Sequence, residues 1–228
     1  MLNLTIPAIN IEFYKDYEQS AVKRKLFEIR EKYKQEIDEA ASLTKVPAEV
    51  ITSFIFIESD GNKDVVSAAN AVGLMQLQPE TATNIPFIEH QNKQLTNGEV
   101  AALTRYLGKS KVDCILSMKW QNQPVKCATQ IKNVSGGQIG IIITKEDLKI
   151  AGLNILLGSM MIGMFIDTYT ENGMIRLDKV VVRYNTGKKK ITGNDIKETM
   201  DGLPRETRSY ILKLLGKGST LDLMLNSK

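Results

Sequence analysis

An uncharged apolar run in the second half of the chain restricts the possible folds most. Residues 150–166 hold no charged side chain over 17 positions, which is the lower limit for a helix that crosses a bilayer. Glycines and one asparagine interrupt the run, and the charged residues Lys149 and Asp167 flank it directly. This pattern favours a helix buried on all sides in a protein core over a membrane span. We therefore expect a helical core without stable insertion into a membrane.

Charge and composition exclude several classes of site. The chain of 228 residues has a formal net charge of +4, which is too small on its own to indicate binding to nucleic acid. It contains one histidine, His90, and two cysteines, Cys114 and Cys127. A Ser-His-Asp triad and a metal site are therefore not expected, and nothing indicates a cofactor. The cysteines leave both a disulfide and free thiols open.

The positive charge is concentrated near the end of the chain. Residues 183–217 hold nine basic and four acidic side chains, so this stretch alone exceeds the net charge of the whole chain. It is either a solvated basic face or a surface that attracts an anionic polymer.

Hydrophobic periodicity predicts a series of helices. They span residues 15–42, 47–58, 73–85, 98–107, 146–170, 175–185 and 204–216. Residues 1–13 are expected to form an extended arm. Residues 113–120 and 138–143 are typical of strands, which predicts a small β insertion between the fourth and fifth helices.

Glu58 lies at the end of an apolar helix, one turn after Phe54 and Ile55. Because apolar surroundings disfavour the charged form of a carboxyl group, the pKa of Glu58 is expected to rise. A carboxyl group that stays protonated near neutral pH can act as a general acid. A solvated glutamate at a helix end is the alternative explanation.

A spaced set of residues follows Glu58. Ser67 lies nine positions after the glutamate and Gln76 lies eighteen positions after it. The set comprises Ser59, Asn62, Ser67, the run Gly73-Leu74-Met75-Gln76, Pro79 and Thr81-Ala82. In identity and spacing the segment resembles the catalytic motif of the lytic transglycosylases, peptidoglycan-cleaving enzymes of the goose-type lysozyme-like superfamily.

Three later blocks resemble the same family in the same order. They are Asn154-Ile155-x-x-Gly158, Tyr184-Asn185-Thr186-Gly187 and Leu203-Pro204-Arg205-Glu206-Thr207-Arg208-Ser209-Tyr210. The resemblance covers about residues 46–86 and 146–216. The sequence departs from the family pattern at Asn70, Gln78, Met161 and Thr186, which affects the expected contacts with the substrate.

The resemblance implies a mainly α, lysozyme-like fold with a small β insertion. On this interpretation residues 1–45 form an N-terminal arm and an amphipathic helix, and residues 46–216 form the lysozyme-like transglycosylase domain. The insertion occupies about residues 87–145, and residues 217–228 form a C-terminal tail.

The resemblance also implies an activity on peptidoglycan glycan strands. Glu58 would protonate the glycosidic oxygen between MurNAc and GlcNAc, and would then act as base on the MurNAc 6-hydroxyl to give a 1,6-anhydro product. Tyr184 would hydrogen-bond the Glu58 carboxyl or the substrate N-acetyl group, and Asn185 would hold the fold or the sugar. Ser67 and Gln76 would hydrogen-bond sugar groups, and Met75 would line the cleft. Such an enzyme needs no second carboxylate, which sets it apart from most glycosidases.

Two other functions stay open. Asp60 or Asp64 could position a water molecule, which would make the protein a hydrolase of the muramidase type. The chain could also be a non-catalytic wall-binding or virion structural module that kept the fold, although Glu58 together with Tyr184 argues against this.

The expected location follows from the substrate. Peptidoglycan lies in the bacterial periplasm and cell wall, yet the first residues lack the basic and apolar segments of a signal peptide. Delivery in a bacteriophage particle and release by a holin or a secretion apparatus are the two routes considered. The working hypothesis is a virion-associated enzyme of phage entry or lysis, with virion or secretion-apparatus proteins as further partners.

Overall fold

Helices dominate the computed structural model, which describes residues 9–118, 141–187 and 191–226. The first six are α1 (Asp16–Lys32), α2 (Lys34–Thr44), α3 (Ala48–Ser59), α4 (Pro79–Lys93), α5 (Asn97–Leu107) and α6 (Lys109–Ser117). The others are α7 (Lys145–Leu148), α8 (Ala151–Thr168), α9 (Leu177–Thr186), α10 (Ile196–Met200), α11 (Arg205–Leu215) and α12 (Thr220–Leu225). Two pairs of short strands complete the described fold: β1 (Ile9–Glu12) with β4 (Gly216–Lys217), and β2 (Thr170–Glu171) with β3 (Met174–Ile175).

The apolar run forms the central helix α8, which packs against α2, α4 and α9. Among the described residues it is a helix long and apolar enough to cross a membrane, and 72% of that window is buried inside the protein. Most of its side chains contact other helices, as expected for a core helix rather than a lipid-facing one.

The predicted helix over residues 15–42 is two helices. Its apolar stripe is buried as expected, from Val22 on α1 to Ala40 on α2. At Tyr33, between the two, φ is −115° and ψ is 29°, values outside the helical range. The buried Tyr33 hydroxyl donates a hydrogen bond of 3.1 Å to the carbonyl of Gly61, so this joint also holds the turn after α3.

The helix predicted over residues 73–85 is wrong in its first part. Residues 65–77 form a folded loop in which Val72 bridges to both Val66 and Leu77, and α4 begins only at Pro79. Gly73 (φ 82°) and Gln76 (φ 47°) adopt left-handed backbone conformations, which stop a right-handed helix.

The strand predicted over residues 113–120 is also wrong, because α6 covers Lys109–Ser117. Val112 and Ile115 are buried three positions apart, which is a helical spacing that a short apolar run does not reveal by itself. The first half of the second predicted strand, residues 138–140, lies outside the described residues. Its described end, Ile142 and Ile143, donates backbone hydrogen bonds to the Thr83 hydroxyl instead of to a neighbouring strand. Cys127 is likewise outside the described residues.

Both ends of the described chain pack onto the domain. β1 pairs in parallel with β4, so part of the predicted N-terminal arm is a strand. The predicted C-terminal tail contains α12, whose Leu221 is fully buried and which packs against α1, α3 and α11. These contacts brace α3, the helix that carries Glu58.

Candidate active site

Glu58 is the second-last residue of α3. The helix is almost entirely buried up to Ile55, and it ends where Asp60 (φ 52°) and Gly61 (φ 74°) turn the chain away. Burial raises the pKa of the Glu58 carboxyl to about 7, and a hydrogen bond from Tyr210 opposes this rise. A group with this pKa is about half protonated at neutral pH, as a general acid requires.

Tyr210 on α11 is the hydrogen-bond partner of the acid. Its hydroxyl donates to Oε1 of Glu58, and burial together with the Glu58 carboxyl raises the pKa of Tyr210 well above its usual value. Tyr210 therefore stays a donor throughout the physiological range. This tyrosine closes the block from Leu203 to Tyr210 that resembles the family, but the sequence alone predicts no role for it.

Tyr184 on α9 does not take the expected hydrogen bond to the Glu58 carboxyl. Its hydroxyl instead donates to the backbone carbonyl of Met75 at 2.7 Å, and its ring packs on Phe54 with centroids 4.8 Å apart. Burial and the Glu58 carboxyl raise the pKa of Tyr184, so the two residues are close enough to interact. The side chain ties α9 to the loop beside the acid.

Ser67 and Gln76 hold the loop that faces the acid. The Ser67 hydroxyl accepts a hydrogen bond from the Ala71 backbone at 3.0 Å. The Gln76 amide donates to the carbonyl of Gly73 at 2.9 Å, and its side chain remains partly exposed. Asn70 has φ 64°, so this asparagine adopts a left-handed backbone conformation.

Met75 does not line a cleft, contrary to expectation. Its side chain is fully buried, and it packs so closely on Gly158 of α8 that a side chain there would overlap its sulfur. The glycine of the Asn-Ile-x-x-Gly block therefore makes room for Met75. What Met75 presents to the site is its backbone carbonyl, which holds the Tyr184 hydroxyl.

Asn154 on α8 forms hydrogen bonds with the backbone of the same loop. Its fully buried side chain accepts a hydrogen bond from the Met75 backbone N–H at 2.7 Å and donates to the carbonyls of Val72 and Leu148 at 2.9 Å each. Ser59 adds a further link, since its hydroxyl lies 2.8 Å from the Leu74 carbonyl. Neither contact was predicted from the sequence, although Asn154 opens a block that the resemblance includes.

Two cavities flank this cluster. The larger has a volume of about 1020 Å³ and runs along α4, α8 and α9, with Gln76 and Tyr184 in its wall. The smaller, of about 430 Å³, has Ile57 and Tyr210 in its wall. Asn185 is exposed and lines both cavities, so they adjoin at this residue. Glu58 itself lines neither, although its neighbour Ile57 and its partner Tyr210 line the smaller one.

The carboxylates proposed for a hydrolase point elsewhere. Asp60 lies 3.4 Å from Lys25, and Asp64 lies 2.8 Å from Lys63 in an exposed pair. Burial and the Tyr210 hydrogen bond account for the pKa of Glu58, with no contribution from either aspartate. Within the described ranges, no group of three or more His, Cys, Asp or Glu residues could hold a metal ion. His90 lies on α4, where its Nδ1 accepts from the Leu95 backbone at 3.4 Å.

A family model described as the transglycosylase SLT domain matches residues 35–105. The match includes Glu58, Ser67 and Gln76, and it extends into α5, beyond the part assigned from the motif alone. It covers about a third of the chain and does not reach Tyr184 or Tyr210. No curated protein matches the chain. Together with the helical fold, the match shows that residues 35–105 of this chain are a transglycosylase SLT domain of lysozyme-like fold, a domain whose family members are peptidoglycan lytic transglycosylases, lyases that act on a glycan.

Proposed function

We propose that the protein cleaves the β-1,4 bond between MurNAc and GlcNAc with formation of 1,6-anhydro-MurNAc, and that Glu58 performs both proton transfers. The single observation that carries this proposal is the Glu58 carboxyl, which has a pKa raised to about 7 by burial and lies beside two adjoining cavities. A solvated glutamate at a helix end would not have this pKa.

The proposed reaction has two steps. The protonated Glu58 gives its proton to the glycosidic oxygen, and the bond from that oxygen to C1 of MurNAc breaks, which leaves positive charge on C1. The carboxylate so formed then removes the proton of the MurNAc 6-hydroxyl while that oxygen bonds to C1. Glu58 is protonated again at the end, so the cycle consumes no water.

The pKa of Glu58 is set by burial and by the Tyr210 hydrogen bond, with no contribution from another carboxylate, and this supports ring closure over hydrolysis. Most hydrolases of this class place a second carboxylate to hold water or to form a covalent intermediate. Asp60 and Asp64 are engaged in ion pairs with Lys25 and Lys63.

We also propose that the larger cavity holds the glycan strand. Its wall combines apolar side chains such as Phe165 with amide groups from Gln76 and Asn185, a mixture that suits the faces and hydroxyls of sugars. Ser67 would affect substrate binding indirectly, because its hydroxyl stabilises the loop that carries Gln76. Action in the bacterial cell wall follows from the polymer, while the virion-associated route stays a prediction.

Mass spectrometry of the released sugars tests the proposal. Purified glycan strands are digested with the protein and, in parallel, with a known muramidase. The proposal predicts products that are lighter than the muramidase products by one water molecule, because the ring closes without hydrolysis. Release of MurNAc with a free reducing end would show that the protein is a hydrolase.

A further inference from the structure

The smaller cavity lies between the end of α3 and α11 and adjoins the acid. It takes its wall from Ile57, Asn185, Arg205, Glu206, Ser209, Tyr210 and Lys213. Its volume of about 430 Å³ lies within the range of sites for small ligands. Three of these seven side chains carry a charge, against four of the 22 residues that line the larger cavity.

The two cations in this wall have no acidic partner. Neither Arg205 nor Lys213 forms an ion pair with any residue that the structure describes. The Lys213 ammonium lies 5.8 Å from the centre of the Phe13 ring, a contact that orients its half-buried side chain. With Glu206 included, the three charged side chains of the cavity sum to +1.

These cations do not act on the acid. The pKa of Glu58 is set by burial and by the Tyr210 hydrogen bond, and neither Arg205 nor Lys213 contributes. Their charge is therefore available to a ligand. Unpaired cations in a concave wall attract an anion more strongly than the same cations on a flat, solvated surface, because the cavity excludes part of the screening water.

The proposed substrate supplies an anion at this place. The MurNAc whose C1–oxygen bond breaks also carries, through its lactyl group, a peptide with carboxylate side chains and a carboxylate end. This peptide starts on the reacting sugar, so it must leave the site close to Glu58. The larger cavity would be occupied by the strand, and the smaller cavity is the space that remains beside the acid, with Arg205 and Lys213 in its wall.

We propose that the cavity between α3 and α11 binds the peptide stem of the MurNAc at the cleaved bond, with a stem carboxylate held by Arg205 and Lys213. This inference rests on the proposed function, since it takes peptidoglycan as the substrate. Glu206 adds an acceptor in the same wall, which suits a stem that also carries a free amine. The site makes the enzyme prefer peptide-bearing strands over bare ones.

The experiment compares two substrates and three proteins. The substrates are glycan strands with intact stems and the same strands after an amidase has removed the stems. The proteins are the wild type, the double variant Arg205→Gln/Lys213→Met, and Arg208→Gln as control, because Arg208 is an exposed cation on the same helix outside the cavity. Thermal unfolding of all three checks that they are folded.

The measured quantity is the ratio of kcat/KM on peptide-bearing strands to kcat/KM on bare strands. We expect this ratio to fall about tenfold in the double variant, mainly through KM, as expected for loss of contacts to a carboxylate. The pH dependence of the rate should not move, since the cations do not set the pKa of Glu58. The control should keep the wild-type ratio. An unchanged ratio in the double variant would overturn the proposal.

A binding measurement separates this proposal from the proposed reaction. Calorimetry with the disaccharide GlcNAc–MurNAc, with and without a tripeptide stem, requires no turnover. Tighter binding of the stem-bearing form to the wild type, lost in Arg205→Gln/Lys213→Met, would support the stem site even if the sugar products proved to be hydrolytic. Equal binding of both forms to the wild type would refute the stem site and leave the assignment of Glu58 intact.

Discussion

At the scale of single residues, the site depends on one carboxyl group and on what surrounds it. Glu58 combines partial exposure with a pKa near 7, and the hydrogen bond from Tyr210 opposes the effect of burial on that pKa. The hydrogen bond favours the charged carboxylate, so it keeps the pKa of Glu58 low enough for the carboxyl group to release its proton. Tyr210 is in this sense a positioning residue as well as a regulator of acidity.

Tyr210→Phe should move the pH dependence of the enzyme. In the wild type, kcat/KM should fall as the pH rises through about 7, because the acid loses its proton there. Removing the hydroxyl removes a bond that lowers the pKa of Glu58, so the fall should shift to higher pH. Rates measured from pH 5 to 9 on one glycan substrate test this.

Tyr17→Phe is the control, because Tyr17 is 75% exposed on α1, where the same substitution should leave the profile in place. A Tyr210→Phe profile that overlays the wild-type profile, or that moves to lower pH, would contradict the role given to this hydroxyl.

At the scale of elements, α8 packs against the loop between residues 65 and 77 and stabilises it. Asn154 holds the loop backbone through two hydrogen bonds, one with Met75 and one with Val72, and Gly158 leaves space for Met75 one turn later. Both residues lie on the face of α8 that meets this loop. The uncharged apolar run, which favoured a core helix, thus forms the helix that supports the site.

Gly158→Ala should destabilise the protein and reduce its activity. The added methyl group meets the sulfur and side chain of Met75, and moving Met75 also disturbs the carbonyl that holds the Tyr184 hydroxyl. Overpacking of this kind costs about 1–3 kcal/mol in the free energy of unfolding. Chemical denaturation and a lytic assay on the same sample measure both effects.

Gly163→Ala provides the matched control on the same helix. A side chain there would approach the Thr44 carbonyl no closer than 3.6 Å, which is an ordinary contact. Replacing a helical glycine by alanine should then stabilise the protein by up to about 1 kcal/mol. Equal losses of stability at the two glycines would refute the proposed role of the Gly158–Met75 contact.

The elements also show what could be predicted from the sequence. The long periodic stripe from Val22 to Ala40 gave the correct buried face, because helical spacing over many residues has few alternatives. The apolar run at 113–120 is too short for its period to separate a strand from a helix, and the structure has α6 there. The loop at 65–77 depends on a left-handed backbone conformation at Gln76. Glutamine rarely adopts this conformation, so the residue type does not predict it.

The same limit applies to the site. Glu58 could be predicted as the candidate acid because its sequence neighbours carry a motif, and Ser67 and Gln76 were added from their spacing. Which tyrosine hydrogen-bonds the acid could not be found, because Tyr184 and Tyr210 both lie far along the chain and only the packing of α9 and α11 decides between them. Met75 was expected in the cleft, whereas the close approach of α8 buries it.

At the scale of the whole molecule, segments distant in sequence meet around α3. The strand β1 and the helix α12 come from opposite ends of the described chain, and α12 packs on α3 while β1 pairs with the strand that follows α11. The acid on α3 and its partner Tyr210 on α11 are therefore held by the same packing. The matched SLT region supplies the acid and its loop, and residues beyond it supply both tyrosines.

The most direct test of the account is the lytic rate of Glu58→Gln, compared with that of Glu28→Gln. Glu28 is exposed on α1, so its substitution should leave the rate unchanged. The Glu58 variant keeps the size of the side chain and an acceptor for Tyr210 but cannot donate the proton, so we expect the rate on purified peptidoglycan to fall at least about 100-fold. Lysis by a folded Glu58→Gln protein at the wild-type rate would contradict the assignment of Glu58 as the acid.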